Sequence, residues 1–415
     1  MIWDVIVVGA GAAGLMTSIA CGREGLKVLL LDGKEKIGAK ILMSGGTRCN
    51  VTNQKVTEND FNGENKHAIR NILRAFSSEK AVRFFEEIGV HLIPEPGGKF
   101  FPSTHLAKTV LDAFLAEIKK QNVSLETGKK VTHIDQADKH FQVSGENFSY
   151  SSKTVVLTTG GLSYPSTGSD GGGFVIAKSL GHSLVPTTPA LTPLTTDDAD
   201  LKNLSGVSIP AKLMLFVDGK KDSEYVGSFL FTHFGFSGPA VLNISRNWVR
   251  QSAKAKKELT ANFLPQFEMN EFEDIFLKHT EKHSSQSIHN ALPKWLPERF
   301  SEVFLKKIQM GTTTPLNQLK RTDREKIVQS LFQFPLRVTG VLGYQKAEVT
   351  AGGVSFENVD SKTLESKLVP GLFFAGEILD VDGQIGGFNF QWAWSSGVVA
   401  AQGIIKILRE DVVQH

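Results

Sequence analysis

Two hydrophobic periods alternate along this chain. Residues 4–8 (DVIVV) and 27–31 (KVLLL) are unbroken apolar runs rich in β-branched or aliphatic side chains, the pattern of strands buried on both faces. Between them Leu15, Ile19 and Ala20 share a helical face, and Gly25 fits the helix stop. The order predicts a βαβ unit over residues 3–32. Helices are expected over 78–87, ended near Gly89, and over 105–120, where Leu106, Val110, Phe114 and Ile118 fall on one side. Ser103 is the expected N-cap of the second. Short strands around Val131, Phe141 and Phe148 read as an antiparallel meander, and 154–158 (TVVLT) returns the chain to a parallel sheet. A short helix is expected from Phe174 to Leu180. Residues 38–53 show no periodicity and read as a glycine-rich polar loop lying over a ligand.

After Pro186, Pro189 and Pro193 the character changes. Strands are predicted over 212–218 and 224–232, with a turn at Gly219. Ser237 is a candidate cap for a helix carrying Pro239 in its first turn. Helical stretches follow at 271–283, around Trp295 and Phe300, and from Thr322, where Glu325 has capping-box spacing. Residues 371–380 (GLFFAGEILD) then read as strand, glycine and two acids, and a helix is predicted over 391–408. The fold class expected is α/β: a doubly wound Rossmann-like domain over residues 1–190 and 345–415, interrupted by a mixed β and helical insert over 191–344.

Composition narrows the class further. The apolar fraction is 41% and the charged fraction 21%, ordinary for a globular chain of 415 residues. The formal charge of +3 makes nucleic-acid binding an unlikely partner, and the basic clusters at 254–257 and 320–326 read as solvated faces. Cys21 and Cys49 form no CxxC pair, and no ligand spacing suggests a metal. The first strand begins almost at once, with no apolar run long enough for a membrane span, so a cytoplasmic location is expected.

The candidate chemistry begins at Gly9-Ala10-Gly11-Ala12-Ala13-Gly14, a G-x-G-x-x-G turn between strand and helix. Gly9 permits the tight turn, Gly11 lets backbone approach a pyrophosphate, and Gly14 lets helix and strand pack closely. Free N–H groups and the helix dipole then hold phosphate. Asp32 ends the second strand 18 positions after Gly14, close to the ~20 expected for an acid on the ribose. Two more glycine turns close strands at Thr159-Gly160-Gly161 and Gly376-Glu377, and Gly386-Gly387-Phe388-Asn389-Phe390 opens the last helix. A nicotinamide enzyme needs only the first of these. The set suits a long, tightly held FAD, with the last helix dipole favouring negative charge on the reduced ring.

The chain resembles the HI0933-like flavoproteins. The resemblance covers nearly its whole length and rests on GAGAAG (9–14), SGGTRCNVTN (44–53), GGLSYPSTGSDGGG (160–173), LFTHFGFSGP (230–239), TAGGV (350–354) and GEILDVDGQIGGFNFQWAWSSG (376–397). Thr47 and Asp32 depart from that family's usual GGGRCN and from its glutamate at the second strand end. The resemblance implies bound FAD, an oxidoreductase, and cofactor contacts at Gly9, Gly11, Ala12, Ala13, Gly14, Asp32, Gly33, Lys34, Lys40, Ser44, Gly45, Gly46, Cys49, Asn50, Thr52, Asn53, Val131, Thr159, Gly160, Gly161, Gly376, Glu377, Asp380, Gly386, Gly387, Phe388, Asn389 and Phe390.

Flavin needs position and electrostatics from the protein, and a reductase acting on an enone also wants a proton donor. His233, Thr232, Tyr164, Arg48 and Cys49 are the candidates by their places in these motifs. The phenylalanine-rich run 229–236 is expected to wall an apolar site with His233 at its mouth. The expected activity is reduction of a hydrophobic, steroid-like or other enone small molecule by NAD(P)H. No second strand–glycine–helix unit appears in the insert, so NAD(P)H is expected to bind transiently in the cleft beside it. An RNA-modifying flavoprotein and a redox sensor without turnover are the alternatives.

Overall fold

The computed structural model describes residues 1–137 and 140–413. The chain forms two compact units, Met1–Pro189 with Glu348–His415, and Ala190–Ala347.

In the first unit β1 (Ile2–Val8), α1 (Ala12–Arg23) and β2 (Val28–Leu31) form a βαβ crossover with the two strands paired in parallel. The parallel sheet continues outward from β2 to β3 (Ser124–Glu126). On its other side β1 pairs with the second half of β6 (Phe148–Leu157), which pairs in turn with β7 (Leu372–Phe374). The first half of β6 turns antiparallel and joins β4 (Val131–Ala137) and β5 (His140–Gly145) as a meander. β2 and the final four residues of β1 and β6 are wholly buried or nearly so, as their unbroken apolar runs require.

Where the loop over 38–53 was expected, α2 (Ala39–Thr47) stands, with a break at Ser44, Gly45 and Gly46. Gly45, Gly46 and Thr47 all have left-handed φ (55°, 66° and 70°), so the helix unwinds where a β-carbon costs most. The second predicted helix runs Ala107–Lys120 and is capped at Leu106, not at Ser103. α3 is Gly172–Ser179. The last helix, α4 (Phe388–Val413), is longer than its pattern suggested and threads the core. Trp392 donates to the Gly376 carbonyl (3.1 Å) and Trp394 to Val51 (2.9 Å). Gly397 lets α4 approach α1: a β-carbon there would lie 2.8 Å from the Ala13 carbonyl.

The second unit holds an antiparallel sheet in the order Phe334–Leu336, Lys257–Asn262, Ser208–Val217, Lys220–Thr232, Gly235–Ser237, Leu194–Thr195 and Gly340–Val341. Asp218 and Gly219 both have positive φ in the tight hairpin turn. Helices Pro239–Arg250, Met269–Lys282, Glu298–Lys307 and Arg321–Phe332 complete the unit. Gly238, not Ser237, precedes the first. The last begins one residue earlier than its pattern indicated, with Asp323 accepting from the Lys320 N–H (3.0 Å).

The phenylalanine run does not wall a site. Phe229, Phe231 and Phe236 are fully buried in this unit's core, against Phe263 and Phe300. Strand periodicity puts 229 and 231 on one face, and that face is inward.

Candidate functional site

A cavity of about 660 Å³ runs through the first unit, lined by residues of that unit alone. One end is the turn between β1 and α1. Gly9 takes φ 107°, and a β-carbon there would lie 2.7 Å from the Thr158 carbonyl. At Gly14 it would lie 1.9 Å from the Gly9 carbonyl and 2.6 Å from Thr158 Oγ1. At Gly11 it would meet nothing within 4 Å, because Gly11 faces the open cavity. No side chain caps α1, so the amides of its first turn are left for whatever fills that space.

Asp32 joins the two strand ends. Its Oδ2 accepts from the Ala10 N–H (2.7 Å) and its Oδ1 from Lys34 (2.8 Å). Burial pushes the carboxyl above its ordinary range, and those two N–H bonds work against the rise. Each oxygen keeps a second lone pair for an outside donor.

Further along the wall, three side-chain oxygens are buried without a partner: Asn50 Oδ1, Thr159 Oγ1 and Ser169 Oγ. All three residues line the cavity. Unpaired buried oxygens cost about 1–3 kcal/mol each, so their clustering here fits a polar ligand that completes them. Gly387, just before α4, and Asn389 and Phe390 in its first turn belong to the same lining. Asn389 is also a brace, exchanging bonds with the Gly383 N–H (2.8 Å) and carbonyl (3.0 Å).

A charged group gathers elsewhere on the lining. Lys40 donates to Glu377 Oε2 and to Ser163 Oγ (2.7 Å), while Glu377 Oε1 accepts from Ser163 Oγ (2.5 Å) and the Thr350 N–H (2.9 Å). Arg48 pairs with Glu95 (2.7 Å) and stacks its guanidinium 4.1 Å from the Phe101 ring centre. Glu348 lines the cavity and keeps an exposed surface there. Partial desolvation by the surrounding protein pushes its carboxyl above the ordinary range, and the charges of Lys40 and Lys99 pull it back only in part. Tyr164 holds a left-handed backbone (φ 50°), and burial with the nearby Glu348 charge keeps its phenol protonated beyond the usual range.

Of the residues singled out in the sequence, Gly9, Gly11, Ala12, Ala13, Asp32, Gly33, Lys34, Lys40, Ser44, Gly45, Gly46, Asn50, Val131, Thr159, Gly160, Gly376, Glu377, Gly387, Asn389 and Phe390 line the cavity, as do Arg48 and Tyr164. Gly14, Cys49, Thr52, Asn53, Gly161, Asp380, Gly386 and Phe388 stand behind it. Thr52 donates to Gln391 (2.6 Å), and Asn53 donates to the Gly386 carbonyl (3.0 Å), so both brace the start of α4. Cys49 is fully buried, and desolvation pushes its thiol up to about 12, which leaves no thiolate at neutral pH. Thr232 and His233 belong to the second unit: Thr232 Oγ1 accepts from the Gly235 N–H (3.1 Å), and His233 is exposed with its ring edge on Phe234. Sequence reasoning missed Glu348, Lys99 and Phe101. Glu348 stands two positions before the TAGGV motif, and that proximity was the available signal.

This is the architecture of a FAD-dependent oxidoreductase: a glycine turn, an acid on the second strand, and a cavity lined by buried oxygens that no protein group satisfies. The chain belongs to the family described as HI0933-like protein Rossmann domain, which matches residues 3–403. It is 34% identical over 406 residues to the ribosomal RNA dihydrouridine synthase of Escherichia coli (strain K12), covering 97% of this chain and 98% of that one. It is 31% identical over 399 residues to the 3-dehydro-bile acid delta(4,6)-reductase of Clostridium scindens, covering 95% and 97%. A ribosomal RNA dihydrouridine synthase of Haemophilus influenzae is 31% identical over 414 residues, covering 97% and 98%. No helix among the described residues is long and apolar enough to cross a membrane, and no group of acids, histidines and cysteines there could hold a metal.

Proposed function

We propose that this protein reduces a carbon–carbon double bond conjugated to a carbonyl, and that its substrate is a uracil ring in RNA. The two activities named for its relatives share that chemistry, because C5=C6 of uracil is conjugated to the C4 carbonyl as a dienone's double bonds are to theirs. The observation that carries the reading is Glu348, a carboxyl with a raised pKa that lines the cavity beside Tyr164, Lys40 and Lys99. Three features favour uracil over a steroid. The charged and polar lining around Glu348 offers donors to ring carbonyls. The phenylalanines that could have walled an apolar site are core. The second unit carries 21 Lys and Arg against 16 Asp and Glu, a net of +5 within a chain of +3.

In this reading Gly9 to Gly14, Asp32, Asn50, Thr159 and the first turn of α4 hold FAD. FAD, once bound there and reduced, would supply the hydride for C6 of the ring. Glu348 delivers the proton to C5, and solvent reprotonates the carboxylate. Lys40 and Lys99 stabilise the negative charge that builds on the C4 oxygen. Tyr164, protonated throughout, donates a hydrogen bond and orients the ring. NAD(P)H is the reductant and binds transiently. Kinetics should then be ping-pong.

The test reduces the purified holoprotein anaerobically with NADH or NADPH, then mixes it with protein-free ribosomal RNA or with a 3-oxo-4,6-diene steroid. RNA should reoxidise the flavin and gain dihydrouridine. Glu348→Gln should slow that half-reaction by roughly 10²–10⁴-fold, the range for general acid catalysis, and leave reduction by NAD(P)H intact. Only protonated Glu348 donates, so the wild-type rate falls as pH rises through its raised pKa, and the variant loses that fall. Reoxidation by the steroid and not by RNA would remove uracil as the substrate.

A further inference from the structure

The second unit carries a depression at the C-terminal end of helix Met269–Lys282, lined by His279, Lys282, His283, Ser285, Asn290 and Lys294 among others. No carboxylate lines it. The His279 and His283 rings lie 4.4 Å apart, and Trp295 meets the His279 ring edge-on at 5.0 Å while carrying the Lys294 ammonium 5.1 Å from its centre. That packing fixes where the Lys294 ammonium stands. Several other basic side chains of this unit stand on carboxylates: Lys306 and Lys307 on Asp200 and Asp198, Lys256 on Glu258, Arg321 on Glu325. Among the described residues no carboxylate pairs with Lys282 or Lys294. Burial first, then the charges of Lys294, His283 and Lys282, hold His279 below the ordinary histidine range. The helix C-terminus supplies about half a negative charge, which two lysines exceed several-fold.

We propose that this depression is an anion site that binds a phosphate group of an RNA chain. Lys282 and Lys294 supply the charge, His279 and His283 become donors as they protonate against the anion, and Ser285 and Asn290 supply neutral donors from the rim. A site of this kind fixes position on a nucleic acid without reading its sequence. Phosphate is the chemistry recognised, and RNA as its source rests on the reading of the reaction given above.

The test uses the full-length holoprotein and the double variant Lys282→Gln/Lys294→Gln, both exposed positions outside the FAD cavity. Affinity for a short single-stranded RNA is measured from low to moderate salt, with inorganic phosphate as competitor. The variant should bind RNA at least tenfold more weakly at low salt. Its log K against log salt slope should be shallower by about 1.4, two lost phosphate contacts at ~0.7 each. Dihydrouridine formation is followed in parallel at saturating RNA. An unchanged slope overturns the RNA-phosphate site even if the wild type makes dihydrouridine. Histidine resonances that move with inorganic phosphate while the RNA slope stays unchanged would assign the site to free phosphate and overturn RNA as its source. A slope that drops as expected with no dihydrouridine formed leaves the site standing and defeats the uracil reading alone.

Discussion

Gly11 and Gly14 sit three residues apart in one motif, and the structure predicts opposite consequences for filling them. A methyl at position 14 would be driven to 1.9 Å from the Gly9 carbonyl oxygen. That carbonyl cannot retreat: the Gly9 N–H is held by Leu31 (2.7 Å), and its oxygen accepts from Thr158 Oγ1 (2.8 Å). Overpacking a rigid site costs about 1–3 kcal/mol, and displacing the buried Thr158 bond adds about 1–2. The sum of about 2–5 kcal/mol converts to a Tm drop of about 4–20 °C for a unit of this size. Gly14→Ala should show that drop with or without FAD. Gly11→Ala meets no protein atom and keeps its negative φ of −81°, so the apoprotein should lose no more than about 1 kcal/mol, a Tm change of about 2–4 °C. Flavin retained through gel filtration should nevertheless fall sharply, because the methyl stands where a pyrophosphate must touch backbone. Thermal unfolding of both apoproteins, with bound flavin read by absorbance, separates the cases. If Gly11→Ala destabilises the apoprotein as much as Gly14→Ala, or if Gly14→Ala melts like wild type, the division into ligand-facing and packing glycines is wrong.

Three other outcomes follow from single residues. Thr47 holds a β-branched side chain at φ 70°, so Thr47→Gly should raise stability by about 1 kcal/mol in denaturant titration; a loss would show that its hydroxyl matters more than its strain. Burial raises both thiols, Cys49 to about 12, so a disulfide reagent at pH 8 should find no reactive cysteine in the native protein and two after denaturation; fast native labelling would contradict the packing. His182 is buried between the Ala177 carbonyl (3.1 Å) and Ser366 Oγ (2.8 Å), and burial lowers its pKa from 6.5. The unfolded chain then binds the extra proton first, so stability is full above pH 6.5 and declines as pH falls below it; His182→Gln should flatten that part of the Tm–pH curve.

What could be read from the sequence was whatever sterics impose locally. Only glycine fits at positions 9 and 14, and only an unbroken apolar run suits a strand covered on both faces, so the βαβ unit, its acid and the parallel sheet were legible. The stretch 39–47 was not, because its glycines and serine mask a helix that breaks in its own last turn. Phe229 and Phe231 were assigned to a wall although their two-residue spacing already placed them on one face of a strand, and the second unit's own core claims that face. Glu348 gave no pattern at all: a single carboxylate among 43 acids acquires meaning only from what folding sets against it, here Tyr164, Lys40 and Lys99.

The placement of β7 sets the timing of synthesis. Residues 155–157 of β6 pair with residues 372–374, so the strand edge closing the sheet is translated 215 positions after the edge it must cover. At about 5–20 residues per second, Val155, Val156 and Leu157 wait roughly 10–40 s on the ribosome with a wholly apolar edge unpaired. The second unit, whose sheet pairs only with itself, can complete its core during that interval. A nascent chain stalled before residue 372 should therefore be held by chaperones through the first unit and released once β7 and α4 arrive. Flavin, whose cavity wall includes residues 376–393, is bound only at the end of translation.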